Sequence, residues 1–304
     1  MNAETLTRYL IAQRRRFPDA TGDFNALVLD VAIACKSIAR LLALGRLPGP
    51  AQAPERVQGK YLLLFEPLAD AENIDVNLPV GSLFSVLRAP EGAFDESHLL
   101  QPGHAQLAAG YALYGPTTLL VLTVGNGVAG FTLDRDMGEF MLTHPDLRVP
   151  ADTREFAINA SNRRFWERPV QRYVDECQRG REGPRGKDFG MRWIASLVAE
   201  VHRILVRGGV FLDPRDSREP QRAARLRLLE EANPIALLIE QAGGRASTGR
   251  RAVLGLQPEA AQQRIGLVFG SRNEVERIER YHAEPGASDS VLPLFAERTL
   301  FRAA

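Results

Sequence analysis

The chain has 304 residues, 45% of them hydrophobic and 25% charged, and a formal net charge of +1. That is a globular composition, and its near-neutral balance excludes bulk attraction to nucleic acid or to an anionic membrane surface. The two cysteines, Cys35 and Cys177, sit in no CxxC or Cys/His spacing that would suggest a zinc site.

The N-terminal stretch MNAETLTRYLIAQRRRFPD lacks the unbroken apolar core of a signal peptide, and no apolar run reaches bilayer-spanning length, so a cytoplasmic protein is expected. Residues 5–16 read as a short helix. Residues 24–44 read as an amphipathic helix with Leu27, Val31, Ile38 and Leu41 near helical spacing, stopped by Gly45. LPGPAQAPERVQG follows as a connection without periodicity. The apolar run Tyr61–Phe65 predicts a buried strand, and GSLFSVL, from Gly81 to Leu87, the next. Residues 105–114 suit a helix. TTLLVLTV, GNG and VAGFTLD predict a β-hairpin. Residues 144–155 are polar, carry two prolines, and mark a boundary between lobes 1–148 and 149–304.

In the second half, MRWIASLVAEVHRILVRGG predicts a long helix opened by Arg192, with Trp193, Leu197, Val201 and Ile204 or Leu205 on one face. VFL is a short strand. NPIALLIEQAGG predicts a helix with Asn233 as N-cap, Pro234 in the first turn and Gly243 past the end. RIGLVFG predicts a buried strand, and Ser271 and Glu274 stand in capping-box spacing. Alternating strands and helices give a layered α/β (α+β) class.

The segment FEPLADAENID, from Phe65 to Asp75, packs Glu66, Asp70, Glu72 and Asp75 after an apolar run. Such a strand end can aim carboxylates at one cation, and the backbone of its turn at a phosphate; on its own it equally describes a solvated acidic turn. Glu231 lies just before a helix start, where a carboxylate is electrostatically comfortable. Arg192 stands alone, whereas Arg215, Arg218, Arg222, Arg225 and Arg227 crowd one stretch; arginine forks suit phosphate, though spacing does not choose among them. Asn159 could offer an amide to a phosphate or cap a turn. His202 reads as structural, and no serine has a nucleophile-elbow pattern.

Taken in order, KYLLLFEPLADAENIDVNLPVGSLFSVLRAP, YALYGPTTLLVLTVGNGVAGFTLDRDMG, EFAINASNRRFWERPVQRYVDEC, EGPRGKDFGMRWIASLVAEVHRIL, GGVFLDP and LRLLEEANPIALLIEQAGG resemble the class I fructose-1,6-bisphosphatase family in its bacterial form. The resemblance implies an αβαβα fold shared with inositol monophosphatases, a homotetramer, and Mg²⁺- or Mn²⁺-dependent hydrolysis of the 1-phosphate of fructose 1,6-bisphosphate, a gluconeogenic and Calvin-cycle step. It places Glu66, the Leu68 carbonyl and Glu231 on metal ligands. Asp70, Ala71 and Glu72 fall in the turn that holds the 1-phosphate, Asn159 on a 6-phosphate contact, Arg225 on a substrate-contacting lysine, and Arg192 on the arginine that reaches the 6-phosphate of a neighbouring subunit.

The departures are specific. The family motif F-D-P-L-D-G-S-S-N-I-D reads FEPLADAENID here, so one aspartate is Glu66, the other is Ala69, and the glycine and serines are Asp70, Ala71 and Glu72. Asp213 replaces a tyrosine. Between Gly45 and Tyr61 the family carries several tens more residues, including a paired-glutamate metal segment. The resemblance therefore implies either a phosphatase with weakened or lost activity, or an inactive paralogue that binds a sugar phosphate or joins an active subunit in a mixed oligomer.

Overall fold

Two helices pack first. α1 (Leu6–Arg14) and α2 (Gly22–Ala43) bury Leu6, Tyr9, Leu10, Phe24, Val28, Val31 and Cys35, and Gly45 takes the left-handed backbone that ends α2. The structure is a computed structural model that describes residues 4–14, 22–45, 57–58, 60–90, 92, 94–217 and 224–284. Most of the 46–60 connection lies outside the described residues, as do Arg218 and Arg222.

Seven strands follow as an antiparallel meander: β1 (Val57–Gln58), β2 (Tyr61–Ala69), β3 (Val80–Arg88), β4 (Ala108–Tyr114), β5 (Thr118–Thr123), β6 (Ala129–Asp134) and β7 (Glu139–His144). Their side chains alternate between two cores, as the period of a strand requires. Phe84, Ala112, Tyr114, Leu120 and Leu122 face α1 and α2, whereas Leu83, Tyr111, Leu113 and Val121 face the other way.

The remaining elements are β8 (Glu155–Ile158), α3 (Arg168–Gln178), β9 (Gly190–Met191), α4 (Leu197–Arg207), β10 (Val210–Asp213), β11 (Leu226–Arg227), α5 (Asn233–Gln241), β12 (Arg245–Ser247), β13 (Arg264–Ile265), β14 (Leu267–Gly270) and α6 (Arg272–Ala283). A second sheet has the order β12-β14-β10-β8-β9, with β8 parallel to both β10 and β9. α4 and α5 fill the space between the sheets through Val198, Val201, Ile204, Ile235 and Ile239. On the outer face of the second sheet, α3 and α6 bury Val170, Tyr173, Val174, Val275 and Ile278 against Phe156, Leu212 and Val268. The five layers run αβαβα, the expected fold. No helix among the described residues is long and apolar enough to cross a membrane.

Five local expectations are corrected. Residues 108–114 are a fully buried central strand, not a helix. The Ala- and Gly-rich composition answers to crowding: a Cβ on Gly110 would lie 2.4 Å from the Phe84 ring and 2.6 Å from the Val121 carbonyl. Arg192 does not open a helix. α4 starts at Leu197 with Ser196 as its N-cap, and Trp193 stacks on Phe211 with ring centroids 6.0 Å apart. Asn233 is not an N-cap but has helical dihedrals, because a wide π-helical turn at Leu228–Ala232 runs straight into α5. Ser271 and Glu274 form no capping box. Ser271 Oγ instead accepts from the Gly209 N–H at 3.3 Å, and Glu274 is buried beside Arg185. RIGLVFG divides at Gly266, since β13 pairs with β11 and β14 with β10 and β12.

His202 is structural in this arrangement. Its Nδ1 lies 2.9 Å from the Tyr111 hydroxyl, and burial, aided by the His144 charge, pushes its pKa from 6.5 down to about 4. The folded state therefore stays unprotonated at His202 where the unfolded chain already binds a proton. This contribution is complete above pH 6.5 and is lost as the pH falls toward 4. The loss reaches about 3 kcal/mol at most. Urea unfolding followed across that window should show a falling midpoint. His202→Asn, which keeps a partner for Tyr111 but does not titrate, should flatten the slope; an equal slope in both proteins would refute the assignment.

Candidate functional site

β2 delivers Glu66 to the edge of the space between the sheets. The register with β3 shifts between Glu66 and Ala69, so Pro67 and Leu68 bulge from the ladder. The Pro67 carbonyl accepts from Ser82 Oγ at 2.6 Å. The chain then turns sharply. Asp70 adopts the left-handed conformation at φ 57°, which aspartate tolerates better than most residues, and Ala71–Asn73 make a single 3-10 turn. The side chains of Ala71 and Glu72 are exposed, and Leu68 is half-buried against the first core.

Asp70 Oδ2 accepts the backbone N–H of Leu197 at 2.6 Å, so the turn's own carboxylate sits at the N-terminus of α4. A carboxylate there is favoured by the helix dipole and satisfies an otherwise orphaned donor. Across from it Ala195 is also left-handed, at φ 60°. Asn73 Nδ2 donates to the Ala195 carbonyl at 2.8 Å, and Ile194 N–H donates to the fully buried Glu200 at 2.8 Å. These bonds hold a conformation that costs about 1–2 kcal/mol for a residue with a Cβ.

The other wall is the π-helical turn. The Arg227 N–H donates to Glu231 Oε2 at 2.7 Å. The Arg227 guanidinium bonds Glu66 and Glu230 directly, and its Nε lies 3.6 Å from Glu231. All four side chains are between 15% and 24% exposed. Burial opposes the guanidinium's charge, but Glu230, Glu66 and Glu231 outweigh it and hold its pKa above the ordinary arginine value. Burial raises the Glu231 pKa against the pull of Arg227, and Glu66 and Asp70 add to the rise. Asp70 is raised as well, by burial first and then by Glu72.

Asp70 is thus within electrostatic reach of Glu72, Arg225 and Glu231, and Glu66 of Glu231. Asn159 adjoins them less directly. It caps the 160–165 turn by accepting from the Ser161 N–H at 3.2 Å. It is next in register beside Asp213, whose carboxylate lies 3.7 Å from Arg225 Nε. Arg192 is apart. Its side chain is exposed, with Nε 3.5 Å from Glu155, at the opposite end of β8 from Asn159. Four residues of strand separate those ends, about 13 Å.

Known proteins share this architecture. The N-terminal and C-terminal domain families of fructose-1-6-bisphosphatase match residues 51–145 and 149–283. A class 1 fructose-1,6-bisphosphatase of Hydrogenophilus thermoluteolus is 58% identical, with 98% of this chain and 97% of that protein covered. A class 1 fructose-1,6-bisphosphatase of Methylibium petroleiphilum is 51% identical over 99% of this chain and 98% of its own. The chain belongs to the fructose-1,6-bisphosphatase family. Crystal structures of the Leishmania major fructose-1,6-bisphosphatase agree in fold. The holo form superposes with a TM-score of 0.83 at 31% identity, covering 92% of this chain and 100% of that one, and the T-state form with 0.82. The Hydrogenophilus alignment runs over 348 positions against 304 residues, so at least 44 of its positions have no residue here.

The fructose-1,6-bisphosphatase family implies a divalent cation. Mg²⁺ and Mn²⁺ need several hard oxygens free to converge on one point. Here the converging carboxylates of Glu66, Glu230 and Glu231 surround a guanidinium, Asp70 is bonded to the α4 N-terminus, and Ala69 supplies no donor. Among the described residues no group of three or more His, Cys, Asp or Glu is arranged to hold a metal ion. As placed, these residues do not fit the cation. Glu230 is the member that sequence reasoning missed, and Arg227, expected only as one of several arginines suited to phosphate, is paired with carboxylates instead. Their signal was the spacing of Arg227 with Glu230 and Glu231, three and four residues on, which puts them on one helical face.

Proposed function

We propose that this member of the fructose-1,6-bisphosphatase family hydrolyses the 1-phosphate of fructose 1,6-bisphosphate weakly or not at all. The observation that carries the reading is Arg227, whose guanidinium takes the carboxylates of Glu66, Glu230 and Glu231. A carboxylate–cation contact is worth roughly 4 kcal/mol at a surface-like dielectric. Each 1.4 kcal/mol of barrier is about tenfold in rate, so one lost ligand costs about a thousandfold. The Asp70 carboxylate adds negative charge in the turn that the resemblance assigns to the 1-phosphate. The division into lobes 1–148 and 149–304 and a cytoplasmic location belong to the same proposal. The first is supported by a sheet that ends at His144 and a second that begins at Glu155.

The test is phosphate release from fructose 1,6-bisphosphate with Mg²⁺ or Mn²⁺, beside an intact relative. The expected turnover is at least about a thousandfold lower. Metal-dependent turnover within tenfold of the relative, abolished by Glu66→Gln, would refute the reading.

One observation favours a second role as an assembling subunit. Among the described residues β9 pairs only with β8 and so forms an edge of the second sheet, with Met191 47% exposed and Arg192 exposed beside it. An uncovered edge strand carrying a large apolar side chain suits a subunit contact. Such a contact would serve a homotetramer or a mixed oligomer with an active phosphatase subunit, in which Asn159 and Arg225 would meet a sugar phosphate. Native mass spectrometry after co-expression with an intact family member should show mixed oligomers; separate species only would exclude the mixed assembly.

A further inference from the structure

The last turn of α2, the 74–80 segment and the turn between β4 and β5 enclose a cavity of about 480 Å³. It is no part of the carboxylate site, and its chemistry is different. Leu42, Ile74, Leu78 and Val80 line it with hydrocarbon. Tyr114 also lines it, and the Tyr114 hydroxyl lies 2.7 Å from Ser82 Oγ. One cation stands at its edge: Arg135, exposed on the β6–β7 turn, with no carboxylate in ion-pair distance among the described residues. The adjacent Asp134 carboxylate is engaged by the N–H groups of Asp136 and Met137 at 2.9 and 3.0 Å.

The volume falls within the range of small-molecule sites, about 300–1,000 Å³, which are mostly apolar with a few placed polar groups. The wall is also fixed in advance. Asn77 N–H donates to the Ile74 carbonyl at 2.9 Å, and Leu78 N–H to the Asn73 carbonyl at 3.0 Å. A preformed wall spares a ligand the cost of ordering it. Val76, 65% exposed, and Leu78, 42% exposed, extend the apolar surface beyond the cavity.

We infer that this cavity binds a small amphipathic anion: an apolar ring system seated on Leu42, Ile74, Leu78 and Val80, with its negative group at Arg135. The inference does not depend on whether the chain hydrolyses a phosphate ester. The probe is anilinonaphthalene sulfonate, a two-part aromatic anion whose fluorescence rises on apolar contact. Titrated into the folded chain, it should saturate at one site. Arg135→Glu should weaken the apparent affinity about tenfold or more by placing like charge at the sulfonate. Ala43→Trp, at an exposed helix end on the cavity wall, should abolish saturation by filling the space, with the melting temperature of both variants unchanged as evidence of folding. Absence of saturable binding overturns the inference. So does saturable binding that neither substitution alters.

Discussion

Arg227→Ala is expected to lower stability by about 2–4 kcal/mol at neutral pH. Removing one member of a fully buried ion pair costs about 3–5 kcal/mol, and the exposure of this cluster sets the value somewhat lower. The reason is what remains: Glu66, Glu230 and Glu231 would face one another with no cation among them. Glu231 already holds its proton above the ordinary carboxylate range, through burial and then the charges of Glu66 and Asp70, and losing Arg227 moves it further. A raised carboxylate pKa contributes stability below the unfolded value that is lost as pH rises through the folded one. The deficit of the variant should therefore be largest near neutrality and shrink as the pH falls toward that of an ordinary glutamate. Removing the guanidinium also clears the point on which the carboxylates converge. Millimolar Mn²⁺ should then raise the melting temperature of Arg227→Ala and leave the unmodified chain where it was. Equal metal response in both proteins would show that Arg227 does not compete for these carboxylates.

The second large effect lies between α3 and α6. Arg185 and Glu274 are 2% and 3% exposed, and Arg185 Nη2 donates to both carboxylate oxygens, at 2.5 and 2.6 Å. Tyr173 donates its hydroxyl to the same carboxylate at 2.9 Å, and the Arg185 guanidinium also lies 4.5 Å from the Phe189 ring. Arg185→Leu leaves Glu274 buried with Tyr173 and the more distant Lys187, and should cost about 3–5 kcal/mol in urea unfolding. Arg185→Leu combined with Glu274→Leu should recover most of that loss, because the uncompensated charge goes with its partner. A single variant within about 1 kcal/mol of the parent would refute the accounting, since surface pairs are worth no more than that.

The layers were legible where apolar spacing speaks for itself: Val31 on α2, with Leu27 and Ile38 half-buried beside it, the run Tyr61–Phe65, and the hairpin around GNG. They were illegible where packing overrides local preference. Ala108–Tyr114 has helix-favouring composition, yet small residues are there because Gly110 and its neighbours lie between two covered faces. Trp193 keeps helical spacing with Leu197, but Ile194 and Ala195 are tied to Glu200 and Asn73 in a non-helical loop, partners far away in the chain. Ser271 and Glu274 match a cap by spacing, while Arg185 and Tyr173, about ninety to a hundred residues earlier, claim the glutamate. In the site, the acidic turn and Glu231 could be singled out by residue type. The grip of Arg227 on Glu66 could not, because the two are 161 positions apart and meet only through the fold.

An internal guanidinium, Arg227, takes the carboxylates of Glu66, Glu230 and Glu231 that the proposed reading denies to a divalent ion. Titration of Mn²⁺ into the unmodified chain, followed by electron paramagnetic resonance of the free ion, tests it most directly. No saturable binding up to millimolar Mn²⁺ is predicted. Micromolar binding that disappears in both Glu66→Gln and Glu231→Gln would contradict it.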